Sequence, residues 1–107
     1  MLDPVEGQLE AYNARDADRF ATFFAEDVVV EDAAGKRLMT GRAELHAWYR
    51  KMFAENPALR CRVVARMRAG CFVVDEERIA GRGPDELHVI VVYTVQAGLI
   101  AAVRLLR

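Results

Sequence analysis

The chain has 107 residues, with 15 Lys and Arg against 16 Asp and Glu and a formal net charge of -1. A chain of this length forms one domain, here residues 1–107. Its charges are balanced, so it lacks the strong positive electrostatic field that favours binding to nucleic acid or an anionic membrane. The first twelve residues lack the basic start and apolar run of a signal sequence, and no stretch approaches the ~18 apolar residues of a membrane span. We expect a cytoplasmic protein whose partners are selected by shape.

Two helices are predicted before residue 27. Asp3 is a candidate N-cap, Pro4 suits the first helical position, and apolar residues at helical spacing continue to residue 14. Gln8 lies at the edge of that apolar stripe, which points its amide inward or to the rim of the core. Asp16 is a candidate cap for a second helix over residues 17–26, whose phenylalanines form a core patch.

The run VVVED at residues 28–32 predicts a short buried strand that ends in two acids. Asp32 therefore has two interpretations. In the first, the strand places its carboxylate in an apolar pocket, where partial desolvation would raise its pKa and strengthen it as a base. Alternatively, it caps the backbone of the following AAGK turn.

A third helix over residues 42–55 has the strongest periodicity in the chain and ends before Pro57. Its apolar face is formed by Leu45, Trp48, Tyr49, Met52 and Phe53. These are primarily core positions, and Tyr49 is the best candidate for a functional hydroxyl because a buried phenol requires a partner.

Four long strands should follow as an antiparallel meander, with turns at residues 69–70, 81–85 and 96–98. Segments 86–95 and 99–106 are apolar on both faces. Helices can cover one of these faces. The other, outer face needs a second subunit to bury it, which predicts a homodimer through the outer sheet face.

The two cysteines flank the first of these turns. Placing the turn at residues 69–70 sets Cys61 opposite Arg78 and Cys71 opposite Arg68. The sulfurs would then lie on the order of 20 Å apart, beyond disulfide reach, which predicts free thiols.

Strand alternation places Val73, Asp75, Glu77 and Ile79 on one face of the segment 71–80. A register slip of one residue would turn Glu76 and Arg78 inward instead. The acids Asp75 and Glu77 are either pocket groups, with raised pKa values unless Arg66, Arg104 or Arg107 pairs them, or part of a solvated, salt-bridged face.

The order of elements, together with YNARDADRF, FFAEDVVVEDAAG, TGRAELHAWY and GLIAAVRLL, resembles the nuclear transport factor two-like superfamily. Within it, the chain is most similar to ketosteroid isomerases and SnoaL-like polyketide cyclases. The resemblance implies an α+β fold: a cone-shaped barrel with three N-terminal helices on a strongly curved, mostly antiparallel sheet. It also implies an apolar pocket between helices and sheet.

By the same resemblance, Asp32 matches the general base and Tyr49 the supporting tyrosine. The tyrosine that donates to the oxyanion is replaced by Gln8, and the protonated acid beside it by Val91. Because the loss of one such donor commonly lowers the rate about a hundredfold, efficient steroid isomerisation is not expected. Asp75 and Glu77 would face the pocket. The remaining implied lining residues are Tyr12, Phe24, Trp48, Phe53, Val89 and Val103.

Two hypotheses result. The first is a small-molecule pocket protein that uses Asp32 as general base or anchor, with Gln8 and Tyr49 orienting a carbonyl oxygen of an apolar substrate. The second is a non-catalytic homodimer on the same fold. Neither gives a chemical reason for a cofactor, and His46 and His88 lack the spacing of metal ligands.

Overall fold

The computed structural model describes residues 3–107, beginning with three helices that cover one side of a sheet. Helix α1 spans Pro4–Asn13, α2 spans Ala17–Ala21 and α3 spans Arg42–Glu55. Both predicted caps form: the Asp3 carboxylate accepts from the Val5 amide and the Asp16 carboxylate from the Arg19 amide, each at 3.0 Å. Of the helices in residues 3–107, none is both long and apolar enough to cross a bilayer.

Six strands form one sheet. They are β1 (Phe24–Asp32), β2 (Arg37–Thr40), β3 (Arg60–Ala69), β4 (Phe72–Ala80), β5 (Leu87–Gln96) and β6 (Leu99–Leu106). The order across the sheet is β2-β1-β6-β5-β4-β3, so the four last strands make the predicted meander. Only the β1 and β6 pair is parallel among these strands. The sheet curves around the helices without closing, because β2 and β3 remain as edges.

Strand β1 begins earlier than the sequence indicated. The second helix was predicted to reach residue 26, but α2 ends at Ala21 and Phe24 already pairs with Ile100 of β6. The parallel pairing with a strand 76 residues away overrides the local helical spacing of the phenylalanines. Phe20 and Phe24 nevertheless both lie in the core, each 2% exposed.

The turn between β3 and β4 is shifted by one residue from its predicted position. Ala69 pairs with Phe72, so Gly70 and Cys71 form the turn, and Gly70 adopts a positive φ of 59°. A bulge between Val63 and Ala65 then sets Cys61 opposite Ile79 rather than Arg78. Both thiols are free, Cys61 buried and Cys71 exposed.

The core lies between the helices and the concave sheet face. Val73, Asp75 and Glu77 of β4 are buried there at 4%, 0% and 5% exposure, so the alternative that turns Glu76 and Arg78 inward is wrong. On the convex face, by contrast, Met67 and Phe72 remain 67% and 48% exposed.

Candidate functional site

A cavity of about 260 Å³ lies between the helices and the concave face of the sheet. This volume is just below the roughly 300–1,000 Å³ typical of small-molecule pockets. Aromatic rings from all three helices and the start of β1 form one wall: Tyr49 packs 4.5 Å from Phe20 and 6.3 Å from Tyr12, centroid to centroid. Valines of β5 and β6 form the opposite wall. The walls therefore suit an apolar ligand.

A chain of three buried polar side chains lies in the cavity wall. The Gln8 amide nitrogen donates to the Tyr93 hydroxyl at 3.2 Å, and that hydroxyl donates to Glu77 Oε2 at 3.3 Å. Gln8 also donates to the carbonyl oxygen of Val5 at 3.0 Å. Both amide N–H groups are thus used within the protein, and Glu77 is the ionisable end of the chain.

Glu77 is held in an apolar environment that favours its neutral form. Burial, with a smaller contribution from the nearby Asp75 charge, raises the pKa of Glu77 from 4.5 to about 7. Hydrogen bonds from the Cys61 thiol and the Tyr93 hydroxyl act in the opposite direction, because they stabilise the carboxylate. A carboxyl with a pKa near neutrality can both accept and release a proton at physiological pH.

Two other tyrosines point hydroxyls at the cavity. Tyr12 and Tyr49 line it, and the hydrogen bonds found within residues 3–107 include neither hydroxyl. Every fully buried side-chain N or O of the described residues has a hydrogen-bond partner. Because these two hydroxyl oxygens have none, each must retain some accessible surface. Burial raises the pKa of Tyr49 to about 12, so its phenol stays protonated and available as a donor.

The cavity opens where its lining residues become exposed. Trp48 is 40% and Leu38 43% exposed, and Arg107, which also lines the cavity, is exposed. Arg82, from the loop between β4 and β5, lies over the Trp48 ring with its guanidinium carbon 5.3 Å from the ring centroid. This edge, formed by Leu38, Trp48, Arg82 and Arg107, is called the mouth below.

The structure places nine of the twelve sequence-predicted site residues on the cavity. They are Gln8, Tyr12, Phe24, Trp48, Tyr49, Glu77, Val89, Val91 and Val103. Phe53 lies behind the wall in the core, with its ring 5.3 Å from that of Tyr12. Asp75 is fully buried outside the cavity, where Arg66 Nε and Nη2 donate to its two oxygens at 2.6 and 2.9 Å. The pocket position expected for Asp75 is therefore wrong.

The pocket position predicted for Asp32 is also wrong. Asp32 Oδ1 accepts from the backbone amides of Ala34 and Lys36 at 3.0 and 2.9 Å, and its side chain is not among those that line the cavity. It is the capping residue of the turn before β2, as the alternative interpretation had it. The acid that the sheet delivers to the cavity is Glu77, from a strand on the far side of β6 and β5.

Four polar residues that line the cavity were not predicted as site residues: Tyr93, Cys61, Arg82 and Arg107. Tyr93 lies two residues beyond Val91, so alternation along β5 could have indicated it. Cys61 faces the cavity only because of its pairing with Ile79, and Arg82 lies in a loop for which no periodicity exists.

No group of three or more His, Cys, Asp and Glu side chains within residues 3–107 is arranged to hold a metal ion. The ionisable residues on the cavity include one acid, Glu77, and two arginines, Arg82 and Arg107. The chemistry that this arrangement supports is hydrogen bonding and proton transfer in an apolar space.

An open curved sheet with three helices over its concave face, enclosing an apolar cavity, defines the cystatin-like or nuclear transport factor two-like class. The model of the SnoaL-like domain matches residues 5–103, and the chain belongs to this family. No curated protein sequence matches the chain significantly.

Several solved structures share the fold. An uncharacterised cystatin-fold protein from Novosphingobium aromaticivorans is 19% identical, with a TM-score of 0.88 over 97% of this chain and 95% of that one. A candidate polyketide cyclase from Sinorhizobium meliloti is 23% identical, with a TM-score of 0.83 over 98% and 94%. A candidate ketosteroid isomerase from Kribbella flavida is 25% identical, with a TM-score of 0.78 over 96% and 73%.

Proposed function

We propose that this protein binds a small, mostly apolar carbonyl compound in the cavity and transfers a proton at the carbon next to the carbonyl group. The observation that carries the proposal is Glu77, a carboxyl that is 5% exposed and lies in the wall of an otherwise apolar cavity. Descriptions of relatives with this fold as a polyketide cyclase or a ketosteroid isomerase point to the same class of chemistry.

The roles follow from the hydrogen bonds. Deprotonated Glu77 takes the proton from carbon, and the electron pair of that C–H bond forms a carbon–carbon double bond. The π pair of the carbonyl group moves to its oxygen, which gives an enolate. Tyr49 donates its hydroxyl to that oxygen, since its phenol is protonated at neutral pH. Gln8 positions Tyr93, and through it Glu77, rather than contacting the substrate as a donor, because both of its N–H groups are already engaged.

The test is exchange of the carbon-bound proton of a bicyclic ketone, β-tetralone, in heavy water, followed by NMR. The wild type should accelerate exchange, and Glu77→Gln should lose about a hundredfold or more of that acceleration. Glu76→Gln is the matched control, because Glu76 is on the opposite face of the same strand and pairs with His88 at 2.8 Å. If Glu77→Gln retains full exchange activity while staying folded, Glu77 is not the base.

A second candidate function is a non-catalytic homodimer that uses the same cavity for binding only. It is favoured by the convex sheet face, where Met67, Phe72 and Ile90 are 67%, 48% and 41% exposed. Light scattering after gel filtration should give a dimer for the wild type and a monomer for Ile90→Lys. The control Ala47→Lys, on the exposed side of α3, should leave the dimer intact. A monomeric wild type would contradict the dimer, and ketone binding without proton exchange would favour the non-catalytic role.

A further inference from the structure

The mouth of the cavity carries two arginines without acidic partners. Arg82 and Arg107 both line the cavity, and the ion pairs formed within residues 3–107 involve neither of them. The loop that carries Arg82 contains two acids: the Glu86 carboxylate lies 4.0 Å from Arg78, and Asp85 takes part in none of these ion pairs. The two guanidinium groups are thus available to a ligand.

Both positive charges act on the interior of the cavity. Arg82 and Arg107 each lower the proton affinity of the Tyr49 hydroxyl, and Arg82 also lowers that of Tyr12, although burial dominates and leaves both pKa values raised. Both arginines line the same cavity as these two tyrosines, so an anionic group bound in the cavity lies within reach of their electrostatic attraction. The side chain of Arg82 is further held by its stacking on Trp48, which reduces the entropy lost when it binds an anion.

The cavity therefore carries more positive than negative side-chain charge, and the positive charge lies at the mouth. Two guanidinium groups lie at the exposed edge, whereas the one carboxyl, Glu77, lies in the buried part and is about half neutral near pH 7. An apolar ligand with no charge would leave the arginines unused. A ligand with a negative charge at one end would place it against a planar donor that matches carboxylate geometry.

We infer that the ligand of this cavity is an amphipathic carboxylate: an apolar body with an oxygen function near Glu77 and Tyr49 and an anionic carboxylate bound by Arg82 and Arg107 at the mouth. The inference rests on the proposed function, because it names the substrate class of the same cavity. It adds a direction of entry, with the reacting end inside and the charged end at the mouth. It also gives Arg82 and Arg107 the role of selecting for a carboxylate over a neutral ketone.

The test compares two probes of equal size: a hydroxynaphthoic acid with its hydroxyl and carboxyl at opposite ends of the ring system, and its primary amide. Calorimetry should show the acid binding wild type about tenfold or more tightly than the amide, with a difference that shrinks as salt increases. Arg82→Gln and Arg107→Gln should each reduce that preference, because each variant should weaken binding of the acid more than binding of the amide. Arg62→Gln, an exposed arginine on β3 outside the cavity, should change neither.

The outcomes separate the two proposals. Equal affinity of wild type for acid and amide would overturn the carboxylate inference while leaving a small-molecule site intact. An acid preference that survives in the folded double variant Arg82→Gln/Arg107→Gln would overturn the role of these arginines. Failure of both probes to bind at millimolar concentration would count against the proposed function and the inference together. Two-dimensional NMR spectra of each variant confirm that it is folded.

Discussion

The hydroxyl of Tyr93 donates to the carboxylate of Glu77 at 3.3 Å, although both side chains are only 5% exposed. The two residues lie on neighbouring antiparallel strands, β5 and β4, and both face the helices. Burial raises the pKa of Glu77, and this hydrogen bond opposes that effect together with the one from the Cys61 thiol. The hydrogen bond partly offsets burial, so Glu77 remains able to lose its proton near neutral pH.

The stability of the protein should depend on the protonation of Glu77. Its folded-state pKa of about 7 exceeds the ordinary 4.5, so the folded protein binds more protons than the unfolded chain between these values. The free energy of unfolding therefore decreases as pH rises through this window, by up to about 3 kcal/mol from this group. Denaturant titrations from about pH 5 to about pH 8 should show that Glu77→Gln removes this decrease.

The same series on Glu26→Gln should keep the wild-type pH dependence, because that side chain is exposed and takes part in none of the ion pairs formed within residues 3–107. An identical pH profile for Glu77→Gln and wild type would show that Glu77 titrates normally.

Removing the Tyr93 hydroxyl should raise the pKa of Glu77 further. In Tyr93→Phe, anionic Glu77 loses one of its donors and the Gln8 amide loses an acceptor. Carbon-detected NMR of the Glu77 carboxyl against pH measures the change directly. Tyr49→Phe serves as the control, since its hydroxyl does not bond to Glu77; it should alter proton exchange of a bound ketone more than the pKa. A lower pKa in Tyr93→Phe would contradict the hydrogen-bond direction described here.

Asp32→Ala should weaken the fold slightly and leave the cavity unchanged. The substitution removes an acceptor for the amides of Ala34 and Lys36, which should lower the free energy of unfolding by about 1 kcal/mol. Asp27→Ala, at an exposed position of β1, should stay within about 0.5 kcal/mol of wild type. Hydroxynaphthoic acid affinity should be the same in all three proteins. A large loss of affinity in Asp32→Ala alone would restore this residue to the site.

The ion pair between Arg66 and Asp75 should be sensitive to removal of one partner. Asp75 is fully buried and takes two hydrogen bonds from Arg66, so Arg66→Met would leave its carboxylate unpaired in the core. We expect a loss of about 3 to 5 kcal/mol in the free energy of unfolding. The double variant Arg66→Met/Asp75→Leu should recover much of it, because no buried charge remains. A double variant that is no more stable than Arg66→Met would argue against this explanation.

The two thiols should differ in reactivity. Cys61 is 5% exposed on the cavity, and burial raises its pKa, which disfavours the reactive thiolate. Cys71 is exposed in the turn after β3. A neutral maleimide should therefore modify Cys71 at least an order of magnitude faster, as followed by mass spectrometry of wild type and Cys71→Ser. Similar rates at both positions would show that the cavity opens far more widely than its structure indicates.

Local signals predicted much of the secondary structure. Asp3 and Pro4 set the start of α1, and Pro57 stops α3 at Glu55, because caps and proline act on the backbone within a few residues. Alternation along β4 also placed Glu77 on the inner face, since side chains point to opposite faces in turn. Nine of the twelve predicted site residues reach the cavity, and most of them were expected there from the family resemblance rather than from alternation.

Only the tertiary structure decided which acid lies on the cavity. The Asp32 carboxylate accepts hydrogen bonds from backbone amides of its own tight turn, which are close in sequence. Glu77 instead accepts from Tyr93, whose hydroxyl accepts from Gln8, 85 residues away from that tyrosine. The sequence by itself determined the helices, the meander and the alternation, because these depend on neighbouring residues. Strand order, the β3 bulge and the contacts of Glu77 and Arg82 depend on long-range pairing and packing, which no local pattern encodes.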